Sequence, residues 1–111
     1  MAIINKPLIN TRYAASSLTS EYVALNLRAV IDKFTVTNTS ASAETITVNI
    51  VPAAAIVGSS NQVVKDRAVA ASETVTLFEM INQYLNAGDS VHVGASGANA
   101  LVIRANGREI T

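Results

Sequence analysis

Thr45-Ile46-Thr47-Val48-Asn49-Ile50 alternates polar and apolar residues without a break. Successive side chains of a strand point to opposite faces, so Ile46, Val48 and Ile50 share one face and the polar residues the other. Threonine is β-branched and suits the solvated side of a strand. Just upstream, Lys33-Phe34-Thr35-Val36-Thr37 repeats the pattern, with Phe34 and Val36 on one side. Between the two lies the small polar connector Asn38-Thr39-Ser40-Ala41-Ser42-Ala43. Two alternating strands joined in this way predict an antiparallel hairpin.

Further strands follow downstream. Val63 to Val69 reads as a strand, although Lys65-Asp66-Arg67 blurs its faces. Glu73 to Leu77 turns Val75 and Leu77 inward. Ser90-Val91-His92-Val93 alternates after the turn Ala87-Gly88-Asp89, and Gly94-Ala95-Ser96-Gly97 reads as a tight turn. Leu101 to Ala105 is a strand, and Asn106-Gly107 is the strongest short turn signal in the chain. Arg108-Glu109-Ile110 would then return as a last short strand. Phe78 to Leu85 breaks the series: apolar residues at 78, 81 and 85 have helical spacing and predict one or two turns closing an end of the fold. Ala53 to Val57 is ambiguous between strand and loop. Seven or eight short strands separated by polar turns predict an all-β, single-domain antiparallel β-sandwich or barrel. With no long amphipathic helices between strands, a parallel α/β sheet is not expected.

The first dozen residues stand apart. Ile3, Ile4, Leu8 and Ile9 cluster around Pro7, and no turn signal folds them back. The expected organisation is an N-terminal arm over 1–12 and a sandwich domain over 13–111. A terminal arm of this kind is ordinarily tied down or disordered, and it can also dock on a partner by adding to another subunit's sheet edge. Ile3, Ile4, Pro7, Leu8 and Ile9, with Tyr13 just beyond, are therefore the candidate partner-contact residues.

Composition narrows the function. The chain of 111 residues has 8 basic and 8 acidic residues and no run of like charge. Nucleic-acid binding draws on neutralised phosphates, so this balance argues against it. Charged residues make up 14% of the chain, against about 25% in ordinary domains, which leaves Ser, Thr, Asn and Gln to form the polar surface. There is no cysteine, so no disulfide and no thiolate ligand or nucleophile is available, which fits a reducing cytoplasm during synthesis. No apolar stretch approaches the length of a membrane span, and the N-terminus has neither the basic nor the apolar region of a signal peptide.

Catalytic patterns are equally sparse. His92 is the one histidine, and zinc or iron sites need several such ligands, so neither metal nor cofactor is expected. Asp89-Ser90-Val91-His92 contains the residue types of a hydrolytic triad. On a strand, however, Ser90 and His92 stand about 6–7 Å apart along one face, too far for the Ser–His hydrogen bond that catalysis needs. The remaining carboxylates, among them Glu73, Glu79, Asp32 and Asp66, are scattered. No enzyme is expected, and a hydrolase built on His92 and a carboxylate is the last of the alternatives.

Three runs carry a resemblance. They are Val30-Ile31-Asp32-Lys33-Phe34-Thr35-Val36-Thr37-Asn38-Thr39-Ser40 with Glu44 to Ile50, Val64 to Ala70 with Ser72 to Leu77, and Leu85 to Val93. Together they resemble the capsid decoration, or staple, proteins of short-tailed phages. The resemblance implies a jelly-roll-like fold on the outer surface of the virion. It also implies a partner, the major capsid protein, whose neighbouring subunits the protein bridges, and self-association as a homodimer at two-fold positions. It brings no catalytic or metal residue and does not reach the first dozen residues. Two alternatives share the strand pattern. One is a phage neck or tail β-module. The other is a carbohydrate-binding module, for which Tyr13, Tyr22 and Tyr84 would have to lie exposed on one face.

Overall fold

The computed structural model describes all residues, Met1–Thr111. Nine strands form: β1 (Ile3–Tyr13), β2 (Thr19–Val23), β3 (Arg28–Asn38), β4 (Glu44–Val51), β5 (Gln62–Val69), β6 (Thr74–Thr76), β7 (Gln83–Leu85), β8 (Ser90–Ala95) and β9 (Leu101–Ile110). One sheet runs β1-β9-β3-β6, with β7 sharing the β6 edge of β3, and the other runs β2-β8-β4-β5. They are called the β9 sheet and the β8 sheet below. All pairings are antiparallel.

The pairings nest: β1 with β9, β2 with β8, β3 with β6, and β4 with β5. The chain is thus a long ribbon rolled so that successive ribbon segments alternate between sheets, which is the double Greek key of a jelly roll. The expected antiparallel, jelly-roll-like sandwich is the observed architecture.

Strand alternation builds the core. Phe34 and Val36 from β3, Ile46 and Val48 from β4, Val93 from β8, and Leu101 and Ile103 from β9 are all free of solvent between the sheets. Leu77, Met80 and Leu85 close one edge. Removing such side chains from water is worth about 1.5–3 kcal/mol each and is the main term holding the sheets together. Two buried polar residues, Asn38 and Asn49, have their amides fully engaged.

Several local expectations are corrected. β3 and β4 do not form a hairpin: β3 lies in the β9 sheet and β4 in the β8 sheet. Their connector crosses the sandwich, pinned by Asn38, which donates to the Ser42 and Val69 carbonyls and accepts from Ser40. Asn106-Gly107 is not a turn but lies inside the ten-residue strand β9. Gly107 is needed there because a Cβ would collide with the Val30 carbonyl oxygen and with Leu8. It sits opposite a bulge in β3, between Ile31 and Lys33.

The glycine run at 94–97 is similar. Gly94 and Ala95 end β8, and a Cβ at Gly94 would stand only 3.0 Å from Leu18 N and 3.2 Å from the Ser17 carbonyl carbon. The helical segment expected over 78–85 is one 3-10 turn, Phe78–Met80. Asn82 is left-handed (φ 65°), which stops any helix, and its N–H donates to Ile31, launching β7 along the free edge of β3.

The expected arm over 1–12 is strand β1. Ile3 to Pro7 pair with Ile110 to Asn106, and Leu8 and Ile9 are buried in the chain's own core. Of the alternatives for the arm, the structure shows it tied down, on the edge of β9 in the chain's own sheet. The boundary between residues 12 and 13 therefore does not divide arm from domain.

Candidate docking face

Directly paired residues on neighbouring strands point to the same side of a sheet. Phe34, Val36, Ile103 and Ala105 face the core, so the alternate residues of β3 and β9 form the outer face of the β9 sheet. The register orders that face into rows. Ile3, Ile110 and Arg28 form the first. Asn5, Arg108, Val30 and Tyr84 form the second, and Pro7, Asn106 and Lys33 the third. Arg104, Thr35 and Thr76 form the fourth, and Tyr13, Val102, Thr37 and Thr74 the fifth.

The first two rows carry most of the exposed apolar surface. Ile3 is 58% exposed and Tyr84 73% exposed. Val30 is buried yet stands outside the main core, as the floor of a shallow hollow of about 400 Å³ ringed by Arg28, Tyr84, Leu85 and Ile110. Beside it Arg108 makes a forked ion pair with Asp32, with Nη2–Oδ1 at 2.9 Å and Nε–Oδ2 at 3.2 Å. The bulge in β3 puts Asp32 and Lys33 side by side on this face.

The structure separates the residues singled out by sequence. Ile3, Pro7 and Tyr13 lie on the outer face, and Ile4 belongs to the inward row with Glu109, Ala29 and Leu85, half exposed at the open edge of β1. Leu8 and Ile9 are buried in the core and present almost no surface to a partner. Val30, Ile110, Arg28 and Arg104 were missed, and Tyr84 was named only for the carbohydrate-binding alternative. Reading Leu101 to Ile110 as one uninterrupted strand would have found part of the set, since Val102, Arg104, Arg108 and Ile110 then fall on one side.

The three tyrosines do not form a platform. Tyr13 and Tyr84 are exposed at opposite ends of the face, on different edge strands, while Tyr22 is half-buried on the core side of β2 and donates to Glu109. Burial, then that carboxylate, holds the Tyr22 phenol well above its ordinary range.

The opposite face of the sandwich belongs to the β8 sheet. A depression of about 290 Å³ there is lined by Ser17, Thr45, Thr47, Gln62 and Ser96, with Asp66 its one carboxylate. Nearby, His92 Nε2 and Ser90 Oγ are 3.1 Å apart, which corrects the wider separation expected on a strand: the two side chains lean together. Asp89 takes no part, because its oxygens accept from the Ala53 and Asn86 backbone N–H groups. No three histidine or acidic side chains come together as a metal site. No family model matches the chain, and neither do any curated protein or solved structure.

Proposed function

We propose that the protein is a structural binding module that decorates a phage capsid. It docks on the outer surface of the mature shell, staples neighbouring major capsid subunits, and acts as a homodimer at two-fold positions. The observation that carries this reading is the apolar end of the outer β9-sheet face, where Tyr84 and Ile110 flank the buried Val30 and Ile3 extends the neighbouring row. Aromatic and aliphatic side chains around a shallow hollow on a broad sheet suit a protein surface, with Tyr84 as the anchor. The resemblance of three strand-and-turn runs to capsid staple proteins supports the same reading. A ligand that binds only the assembled, expanded shell stabilises that state by mass action, and many copies on one lattice add up.

A carbohydrate-binding module has less support, since Tyr13, Tyr22 and Tyr84 share no platform. Co-sedimentation with mature shells lacking the protein, followed by heating, tests the proposal. Saturable binding and a raised rupture temperature are the expected results, with Tyr84→Ala weakening both. Failure to bind shells, together with binding to neck or tail proteins, would transfer the same face to that role.

A further inference from the structure

Eight cations and eight anions cancel in the sequence, but they do not cancel in space. Four pairs neutralise one another: Lys6–Glu109, Arg12–Glu21, Arg67–Glu79 and Arg108–Asp32. Glu44, Asp66, Glu73 and Asp89 remain among the acids. Each is held in the protein's own hydrogen bonds, to Ser96, Thr47, the Ala70 N–H and the Ala53 N–H respectively. None of the four lies in the outer rows of the β9 sheet.

The unpaired cations are Arg28, Lys33, Lys65 and Arg104. Three of these, all but Lys65 on β5, stand on the outer face of the β9 sheet. Arg28 and Lys33 have no polar partner, and Arg104 has only the Thr11 hydroxyl at 3.0 Å. With Arg108 they occupy successive rows down the two central strands, about 7 Å apart from row to row. Four cations face outward there against the single carboxylate of Asp32, which Arg108 already engages. The depression on the opposite face is lined by hydroxyls, one amide and one acid. Unpaired positive charge is thus concentrated on the outer face of the β9 sheet.

We infer that the outer β9-sheet face recognises an acidic protein surface, whose carboxylates meet Arg28, Lys33 and Arg104 while its apolar side chains cover Ile3, Ile110 and Tyr84. This deepens the docking-module reading and rests on it. A nucleic acid fits less well. Its phosphate backbone has no counterpart for the aliphatic end of the face, and three free cations release few counterions. Charge arranged in this way steers encounter and sets which side of the domain lands on the partner. It is screened by salt, because these side chains are exposed.

Amide shifts of the isotope-labelled full chain, titrated at low ionic strength with a poly-L-glutamate peptide and separately with a thymidine oligonucleotide, test the inference. The triple variant Arg28→Gln/Lys33→Gln/Arg104→Gln is run alongside, and its unperturbed core amides report that it is folded. The peptide is expected to shift amides along β3 and β9, an effect lost at about 0.5 M salt and weakened about tenfold in the variant. Shifts elsewhere, an equal response from the variant, or a stronger response to the oligonucleotide would overturn it.

Co-sedimentation of wild type and variant with decoration-free shells separates the two readings. Binding by wild type that falls in the variant supports the inference. Equal binding by both removes this face and leaves the docking function. No binding by either, with the peptide response intact, removes the capsid reading and leaves the acidic-surface inference standing.

Discussion

The Tyr22 hydroxyl on β2 donates a 2.6 Å hydrogen bond to the Glu109 carboxylate on β9, 87 residues away in the chain. The bond ties the two sheets together along the side of the sandwich where β1 and β2 are edge strands. Lys6 on β1 approaches the same carboxylate at 3.4 Å, and Arg12 and Glu21 make a second link between β1 and β2. That side is closed by polar bonds laid over the apolar core.

Tyr22→Phe removes the link and tests the titration of Tyr22. A phenol is charged when deprotonated, and the folded chain holds this proton more tightly than the unfolded chain does. The linked stability is therefore complete below the unfolded value of about 10 and is lost as pH rises from there towards the folded value. Wild type should exceed the variant by about 1 kcal/mol near neutrality. The advantage should hold up to about pH 9 and shrink above about pH 10. Urea unfolding of both proteins from pH 7 to 11 measures it, and a constant difference across that range would contradict the assignment.

Gly107→Ala should be among the most damaging small substitutions in the chain. The new methyl group would meet the Val30 carbonyl oxygen and come within 2.6 Å of Leu8 Cδ1. β9 is hydrogen-bonded on both sides and cannot step away. A loss of about 3 kcal/mol is expected. Gly58→Ala is the control: Gly58 has an extended backbone, and a Cβ there finds nothing nearer than Ile56 O at 3.9 Å. Thermal unfolding of the two variants should separate them clearly, and similar midpoints would count against this account of β9.

Asn38→Leu should loosen the crossover between β3 and β4. The amide donates to Ser42 O at 2.9 Å and Val69 O at 3.0 Å, at a site with no solvent exposure. Leaving these carbonyls unpaired costs about 2 kcal/mol. Asn38→Asp should be at least as harmful, because it turns a carboxylate oxygen towards two carbonyl oxygens. Faster hydrogen exchange of the 39–43 amides in both variants is the accompanying sign, and native exchange rates there would refute the pinning role.

Deleting Met1 to Pro7 should destabilise the domain itself. The deletion removes the pairing of Ile3 to Pro7 with β9 and uncovers a strand edge. A lowered melting temperature and self-association through the bare edge are expected, read by calorimetry and size-exclusion chromatography. A truncated chain that melts like the full one and stays at its normal size would restore the picture of a detachable arm.

Strand content and core-facing residues were legible because pleating is local: alternation in Phe34-Thr35-Val36 or Ile46-Thr47-Val48 reports a buried face whatever the strand's partner. The partner itself was not legible. Nothing in the polar connector 38–43 distinguishes a hairpin from a crossover, and the distinction depends on Asn38 reaching Val69, 31 residues on. Asn106-Gly107 misled for a related reason. Glycine serves a turn or a close backbone approach equally well, and only the bulge in β3 and the packing of Leu8 select the second.

The candidate face divides in the same way. Ile3, Pro7 and Tyr13 could be picked out from the first strand, but Leu8 and Ile9 beside them turn inward. Arg28, Lys33, Tyr84 and Arg104 come together only once β3, β7 and β9 are registered side by side. Composition settled the total charge at zero, and tertiary pairing alone decided its distribution. Coulomb interactions depend on distance in space, and in a rolled ribbon that distance is set by long-range strand register, which no local pattern of residues encodes.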